Sequence, residues 1–290
     1  MKILIADPFD ATLPDRLKTF GDVTTNMADL STAEVVLVRS KTKCTKEFID
    51  QAPNLKLIIR GGVGTDNIDK EYAKSKGIEV KNTPNASSIA VAELAFALML
   101  AVPNRLIEAH NGMLQGKFLK NELKRTELYG KTLGLIGVGR IGTEVAKRAI
   151  AFGMRVIGFD KYVTKSEVVE LMSFEEVLAQ SHYLSLHTPL TDETKGMINK
   201  QTIAKMRDGV VIINTGRGKC VVEEDLAEAL RSGKVSAYAT DVWYSDPPDP
   251  SCPLLSAPNV IMTPHLGAST KENLLRIGDE VVEILKNYKK

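Results

Sequence analysis

Three glycines, Gly137, Gly139 and Gly142, stand between an apolar run and a helical pattern. Glycine at this spacing permits a tight turn, the close approach of a pyrophosphate to the backbone, and close packing of a helix on a strand. The helix that follows directs its N–H groups and the positive end of its dipole at the phosphates. Asp160 lies 18 residues after Gly142, where a carboxylate accepts hydrogen bonds from ribose hydroxyls and repels a 2′-phosphate. The pattern indicates a dinucleotide site that prefers NAD to NADP.

The composition is that of an ordinary globular chain. Of its 290 residues, 43% are hydrophobic and 26% are charged, and the net charge of +2 is too small for a nucleic-acid-binding surface. The three cysteines, Cys44, Cys220 and Cys252, are far apart, which argues against a disulfide framework and a metal site. The most apolar window, residues 89–102, contains Glu93 and is too short to span a bilayer, so it predicts a buried helix. We expect a cytoplasmic protein that binds neither membranes nor nucleic acid.

Short apolar runs alternate with more polar helical segments along the whole chain, and this alternation predicts parallel βαβ units. In the first third, strands are predicted at residues 3–6, 35–38, 57–59 and 78–80. The alternation restarts after residue 131, with strands predicted at 132–136, 155–159, 183–186, 210–214 and 237–242. Capping boxes at 173–176 and 269–272 predict the starts of two helices, the second of which is the last in the chain. Two α/β units therefore share the chain, with a boundary inside the helical stretch 89–116.

Further motifs, together with the glycine turn, converge on one family. They are VRS at 38–40, RGGVGTDNID at 60–69, NTPN at 82–85, VAEL at 91–94, HTPLT at 187–191, NTGRG at 214–218, DVW at 241–243 and PHLGAST at 264–270. In these motifs the chain resembles the D-2-hydroxyacid dehydrogenases, and among them the phosphoglycerate dehydrogenases, from about residue 37 to its end.

The resemblance implies an α/β fold of two doubly wound parallel-sheet domains. A Rossmann NAD-binding domain, residues 93–271, is expected to be inserted into a flavodoxin-like substrate-binding domain formed by residues 1–92 and 272–290. The resemblance also implies a homodimer built through the NAD-binding domain. Longer family members append a serine-binding regulatory domain, and we expect none here.

The family's chemistry is hydride transfer between C2 of a 2-hydroxy acid and nicotinamide. By the resemblance, Arg217 binds the substrate carboxylate and His265 is the acid/base, since imidazole exchanges protons near neutral pH. Asp246 stands where the family usually has the glutamate that partners this histidine. Its side chain is one methylene shorter, which puts the contact in doubt, and Asp249 is a less favoured substitute.

The resemblance also assigns cofactor and substrate contacts. Besides Asp160, Arg217 and His265, the cofactor-binding residues are expected to be Val63, Gly137, Gly139, Arg140, Ile141, Gly142, His187, Thr188, Pro189, Thr215, Gly216, Asp241, Gly267 and Ala268. Substrate contacts are expected from Arg39, Arg60, Gly62, Val63 and Gly64 in addition to Arg217 and His265.

Arg39 and Arg60 each end a predicted strand and match arginines that suit a phosphorylated hydroxy acid. They favour NAD-dependent oxidation of 3-phosphoglycerate to 3-phosphohydroxypyruvate, the entry step to serine. Two alternatives stay open: a glyoxylate/hydroxypyruvate reductase with an unphosphorylated substrate, and an NAD(H)-sensing binding protein.

Overall fold

The computed structural model describes residues 1–288, and it divides into two compact units. The split unit contains Met1–Ala90 and the segment that begins at Ala268, whereas the inserted unit is Val91–Gly267. The domain boundaries predicted from sequence, after residues 92 and 271, lie two and four residues further along the chain. Residues 289 and 290 of the predicted substrate-binding domain lie outside the described part.

The split unit contains a five-stranded parallel sheet. Its strands are β1 (Lys2–Ile5), β2 (Asp22–Thr24), β3 (Val35–Val38), β4 (Leu57–Arg60) and β5 (Glu79–Asn82), in the order β2-β1-β3-β4-β5. The intervening helices are α1 (Leu13–Leu17), α2 (Lys46–Asp50) and α3 (Lys70–Ser75). This strand order is that of a flavodoxin-like sheet, as predicted. In β3 all four residues are buried, as expected of a strand covered on both faces.

The chain enters the inserted unit through a helix that the sequence predicts as one stretch. The structure contains two helices instead, α4 (Ser88–Asn104) and α5 (Leu106–Leu114), bent by 65°. The break lies at Arg105, whose φ of 54° is left-handed and cannot continue a helix. In the described part of the chain no single helix has the length and apolar character to cross a membrane, although α4 and α5 together reach that composition as a bent pair.

The inserted unit contains a seven-stranded parallel sheet in the order β12-β11-β10-β9-β6-β7-β8. These strands are β6 (Thr132–Ile136), β7 (Arg155–Phe159), β8 (Glu170–Leu171), β9 (Tyr183–Leu186), β10 (Val210–Asn214), β11 (Val235–Thr240) and β12 (Val260–Met262). The order reverses between β6 and β9, which is the switch point where Rossmann folds bind dinucleotides. The predicted α/β class and doubly wound topology are therefore confirmed.

Four helices connect the strands of this sheet, namely α6 (Arg140–Ala151), α7 (Phe174–Gln180), α8 (Lys200–Ala204) and α9 (Glu223–Ser232). The capping box predicted at the start of α7 is present: Ser173 Oγ accepts from the N–H of Glu176, whose carboxylate accepts from the N–H of Ser173. The apolar face of α6 includes Val145 and Ala149, both buried in the sheet core.

The last helix, α10 (Lys271–Tyr288), returns to the split unit. Its buried residues Ile277, Val281 and Leu285 pack in one core with side chains of β1, β3 and β4. The capping box predicted at Ser269–Glu272 is wrong by one residue. Because the helix begins at Lys271, Thr270 is the cap, and its Oγ1 accepts from the N–H of Asn273 at 3.1 Å.

Candidate active site

The dinucleotide turn, residues 137–142, connects β6 to α6 at the switch point of the inserted sheet. A Cβ on Gly142 would lie 2.2 Å from the carbonyl oxygen of Gly137, so this glycine lets the helix start against the turn. By contrast, a Cβ on Gly139 would have no described atom within 4 Å apart from those of Gly139 itself and its two chain neighbours. At the start of α6, the backbone N–H groups are therefore not covered by a side chain and are accessible to a ligand. These residues fit the pyrophosphate of a dinucleotide.

Asp160 follows β7 and is bonded to the dinucleotide turn itself. Its Oδ2 accepts from the N–H of Val138 at 2.8 Å, and its Oδ1 accepts from the N–H groups of Tyr162 and Val163. These bonds fix the carboxylate beside the turn and leave Oδ2 a second lone pair for a ribose hydroxyl.

The segment after β9 carries His187, Thr188 and Pro189. His187 Nε2 is 2.9 Å from Ser185 Oγ, and burial lowers the pKa of His187 to about 4, so the imidazole is neutral at physiological pH. Gly137 packs against the backbone of His187, where a Cβ would stand 2.8 Å from the carbonyl carbon. The segment after β9 therefore borders the dinucleotide turn.

Asn214, which sequence reasoning did not single out as a site residue, holds the loop after β10. This fully buried side chain accepts from the N–H of Gly216 at 3.1 Å and donates to the carbonyl of Arg217 at 3.0 Å. The adjacent Thr215 hydroxyl is buried and has no hydrogen-bond partner within residues 1–288. A buried hydroxyl of this kind fits contact with a bound ligand. The sequence signal that could have identified Asn214 is that an asparagine ends an otherwise apolar strand.

Asp241, at the end of β11, binds the loop that carries His265. We call residues 263–267 the His265 loop. Asp241 is 1% exposed; its Oδ1 accepts from Thr263 Oγ1 at 2.6 Å and from the N–H of Leu266 at 2.7 Å, and its Oδ2 accepts from the N–H of Gly267 at 2.8 Å. The predicted contact of Asp241 with nicotinamide stays a prediction, since these three bonds all go to the loop.

His265 and Asp246 form a hydrogen-bonded pair on the inserted unit. Nδ1 of His265 contacts Oδ2 of Asp246, whereas Asp249 instead accepts from the N–H and hydroxyl of Ser251. The shorter aspartate side chain therefore reaches the histidine. His265 has a φ of 58°, in the left-handed region, which costs a residue with a side chain roughly 1–3 kcal/mol. Arg217 lies after β10 on the same unit, half-buried, with Nη1 donating to the carbonyl of Gly216 at 2.8 Å.

Within the split unit, Arg39 and Arg60 come from adjacent strand ends. Val38 pairs directly with Arg60, so Arg39 begins the loop beside the one that Arg60 begins. The Arg39 guanidinium donates to the carbonyls of Pro8 and Ala268, and its burial lowers the pKa of Arg39. The structure thus brings two cations to the carboxyl edge of this sheet, where α/β sheets bind ligands.

The glycine loop after β4 is fixed by the end of β5. Thr83 Oγ1 accepts from the N–H of Gly62 at 2.7 Å, and Asn82 Nδ2 donates to the carbonyl of Val63. Val63 is exposed, in the same loop as Gly64. Ala268, predicted to contact the cofactor, lies in the split unit, where its carbonyl accepts from Arg39. Over residues 1–288, no cluster of three or more His, Cys, Asp and Glu side chains is arranged to hold a metal ion.

Comparisons with known proteins identify the family of the chain. Residues 96–267 match the family model described as D-isomer specific 2-hydroxyacid dehydrogenase, NAD binding domain. A hydroxypyruvate reductase of Thermotoga maritima is 49% identical over 253 residues, which cover 86% of this chain and 83% of that protein. A D-3-phosphoglycerate dehydrogenase of Archaeoglobus fulgidus is 41% identical over 303 residues, covering all of this chain but only 58% of that protein.

Among solved structures, a D-lactate dehydrogenase from Aquifex aeolicus, complexed with NAD and lactic acid, superposes with a TM-score of 0.87. It is 33% identical, and the match covers 99% of this chain and 95% of that one. The chain therefore belongs to the D-isomer specific 2-hydroxyacid dehydrogenases, a family of NAD-dependent enzymes, and residues 96–267 are its NAD-binding domain.

Proposed function

We propose that this chain oxidises 3-phosphoglycerate to 3-phosphohydroxypyruvate with NAD, the first step of serine biosynthesis, in the cytoplasm. The contact between His265 and Asp246 carries the dehydrogenase part of the proposal, because it places a proton-exchanging imidazole on the unit that binds the dinucleotide. The adjacent strand ends of Arg39 and Arg60 support the phosphorylated substrate.

His265 exchanges the hydroxyl proton of the substrate. Asp246 holds Nδ1 of the imidazole, which leaves Nε2 to take the proton as the C2 carbonyl forms. A carboxylate at this position also stabilises the imidazolium that results. Arg217 binds the substrate carboxylate, since a planar guanidinium can donate two parallel hydrogen bonds to it. When bound, NAD supplies the acceptor for the hydride from C2.

The distal phosphate of the substrate is bound by Arg39 and Arg60. A dianion needs cations or backbone N–H groups, and these two guanidinium groups share the carboxyl edge of one sheet. The chain spans little more than half of the phosphoglycerate dehydrogenase it matches. The substrate is therefore proposed from these residues together with the similarity.

A second candidate is a hydroxypyruvate reductase. Two observations favour it: the 49% identity to the Thermotoga enzyme of that name, and the Arg39 guanidinium, which already donates to the carbonyls of Pro8 and Ala268. An unphosphorylated 2-keto acid would need only Arg217 and His265.

The test follows NADH absorbance with 3-phosphohydroxypyruvate, hydroxypyruvate and glyoxylate, in wild type, Arg60→Ala and Arg231→Ala. Arg231 is an exposed arginine of α9 and controls for the loss of one positive charge. We expect wild type to prefer the phosphorylated acid, and Arg60→Ala alone to lose that preference. Equal use of all three acids, unchanged in Arg60→Ala, supports the second candidate instead.

We also propose a homodimer that buries the apolar surface of α5 and the residues after it. The exposed apolar side chains there are Leu106, Ile107, Met113, Leu114 and Phe118, with Leu114 at 74% and Phe118 at 75% exposure. A cavity of about 530 Å³ lined by α4, α5 and β12 adjoins this surface. Exposed apolar patches of this kind mark protein interfaces. Sedimentation should show a dimer for wild type and a monomer for Leu114→Asp; an unchanged dimer places the interface elsewhere.

A further inference from the structure

The left-handed backbone of His265 needs an explanation within the inserted unit. A residue with a side chain keeps a strained φ only where the surrounding contacts over-determine its conformation. His265 lies between Pro264 and Leu266 in the His265 loop, with a φ of 58°. The contacts that fix this loop should therefore lie on both sides of His265.

Asp241 supplies contacts on both sides. It accepts from the hydroxyl of Thr263, two residues before the histidine, and from the N–H groups of Leu266 and Gly267, directly after it. Bonds to an ionised carboxylate in a buried position are about twice as strong as neutral ones. One buried carboxylate thus bridges the chain across the strained residue.

Thr263 is the anchor on the side before His265. Its N–H donates to the carbonyl of Thr240 at 3.0 Å, and its carbonyl accepts from Trp243 Nε1 at 3.2 Å. With its hydroxyl on Asp241, all three polar groups of Thr263 are bonded to β11 or the residues after it. The loop therefore starts from a fixed point at the end of β12.

We infer that Asp241 and Thr263 act as positioning residues for the proposed acid/base: their hydrogen bond holds the His265 loop so that His265 keeps its left-handed backbone beside Asp246. This inference rests on the proposed role of His265. It gives the buried carboxylate of Asp241 a task besides cofactor binding, and it assigns a role to Thr263, which no motif pointed to.

The kinetic test compares Thr263→Val, Thr263→Ser and Thr202→Val. Valine removes the hydroxyl at constant volume, and serine restores it. The Thr202 hydroxyl in α8 donates to the carbonyl of Met197 and accepts from the N–H of Asn199, so Thr202→Val controls for the loss of a hydrogen-bonded hydroxyl in the inserted unit. We expect kcat to fall about tenfold in Thr263→Val only, as for a loosened catalytic group, with the dissociation constant of NADH changed less than twofold. Equal kcat in Thr263→Val and wild type overturns the inference, as does equal loss in Thr202→Val.

A stability test keeps this inference separate from the proposed function. At a left-handed position glycine is unstrained and alanine is not, so His265→Gly should have a higher urea midpoint than His265→Ala. In the Thr263→Val background the loop can relax, and the difference between the two variants should shrink. An undiminished difference overturns the inference, whatever the activity assays show. If instead His265→Asn keeps full activity while the stability result is as expected, the proposed function is wrong. The inference that Asp241 and Thr263 hold the His265 loop is then still supported.

Discussion

The guanidinium of Arg60 lies where a Cβ on Gly62 would project: such an atom would be 1.5 Å from Nη1 of Arg60. A side chain at position 62 would therefore compete with the Arg60 guanidinium for the same volume. The backbone of Gly62 cannot move aside easily, since its N–H and carbonyl are both bonded to the fully buried Thr83. Gly62 therefore allows Arg60 to lie across its own loop.

Gly62→Ala should lower the preference for the phosphorylated acid. The added methyl displaces the Arg60 guanidinium, and the ratio of kcat/KM for 3-phosphohydroxypyruvate to that for hydroxypyruvate should fall about tenfold, the loss of one charge-assisted hydrogen bond. Gly77→Ala is the matched control, because Gly77 also has a positive φ in the split unit, whereas its Cβ position has no described atom within 4 Å apart from those of Gly77 and its two chain neighbours. A ratio unchanged by Gly62→Ala would show that the Arg60 guanidinium does not bind the substrate phosphate from the position that it occupies in this structure.

His265→Asn should lower kcat by about 10²–10⁴-fold, the usual contribution of general acid–base catalysis. Asp246→Ala should lower kcat by a smaller factor, since the imidazole loses the carboxylate that orients Nδ1. Stopped-flow or steady-state NADH absorbance measures both. Asp249→Ala serves as control, because Asp249 bonds to Ser251; a loss as large as that of Asp246→Ala would mean that the acidic partner is misassigned.

Asp160→Asn should raise the ratio of kcat/KM for NADPH to that for NADH by tenfold or more. The substitution removes the negative charge that repels a 2′-phosphate. Its single amide oxygen can accept on one side only, either from the N–H of Val138 or from the N–H groups of Tyr162 and Val163. Asp192→Asn makes the same charge change at an exposed position of the inserted unit and should leave the ratio alone. If Asp160→Asn keeps the wild-type ratio, the carboxylate does not face the ribose.

The free energy of unfolding should fall between pH 6.5 and pH 4 because of His187. Its pKa is about 4 in the folded protein and about 6.5 in the unfolded chain, so the unfolded state binds more protons in this range. The stabilising contribution is fully present above pH 6.5 and is lost by up to about 3 kcal/mol as the pH falls. Urea titrations of His187→Gln should show a shallower acid slope, whereas the exposed His110→Gln should match wild type. Parallel slopes for all three proteins would place the acid sensitivity in other groups.

Most of the fold could be predicted because its signals are local and repeated. The fully buried strands β3, β6 and β10 read as apolar runs, and the glycine turn marks the switch point. The strands β2, β8 and β12 were missed because two or three residues are too few to show a period. The break at Arg105 was missed because the apolar pattern continues across it.

The site was less predictable where a contact depends on the distance between two side chains or on burial. Sequence could show that Asp246 is shorter than the usual glutamate, but only the backbone position after β11 shows that it contacts His265. Asn214 bonds to backbone groups of its own loop, and Thr263 bonds to the buried carboxylate of Asp241; neither contact leaves a pattern along the chain.

On the ribosome, the inserted unit emerges whole before the split unit can close. One face of the first sheet, with Ile3 and Leu37, packs against α10, whose residues are synthesised after the inserted unit. The nascent sheet therefore lacks α10 while the 177 residues from 91 to 267 are translated, which takes about 10–35 s at usual elongation rates. During that interval the apolar face of the sheet lacks α10, so the order of synthesis makes the split unit the more aggregation-prone part of the newborn protein.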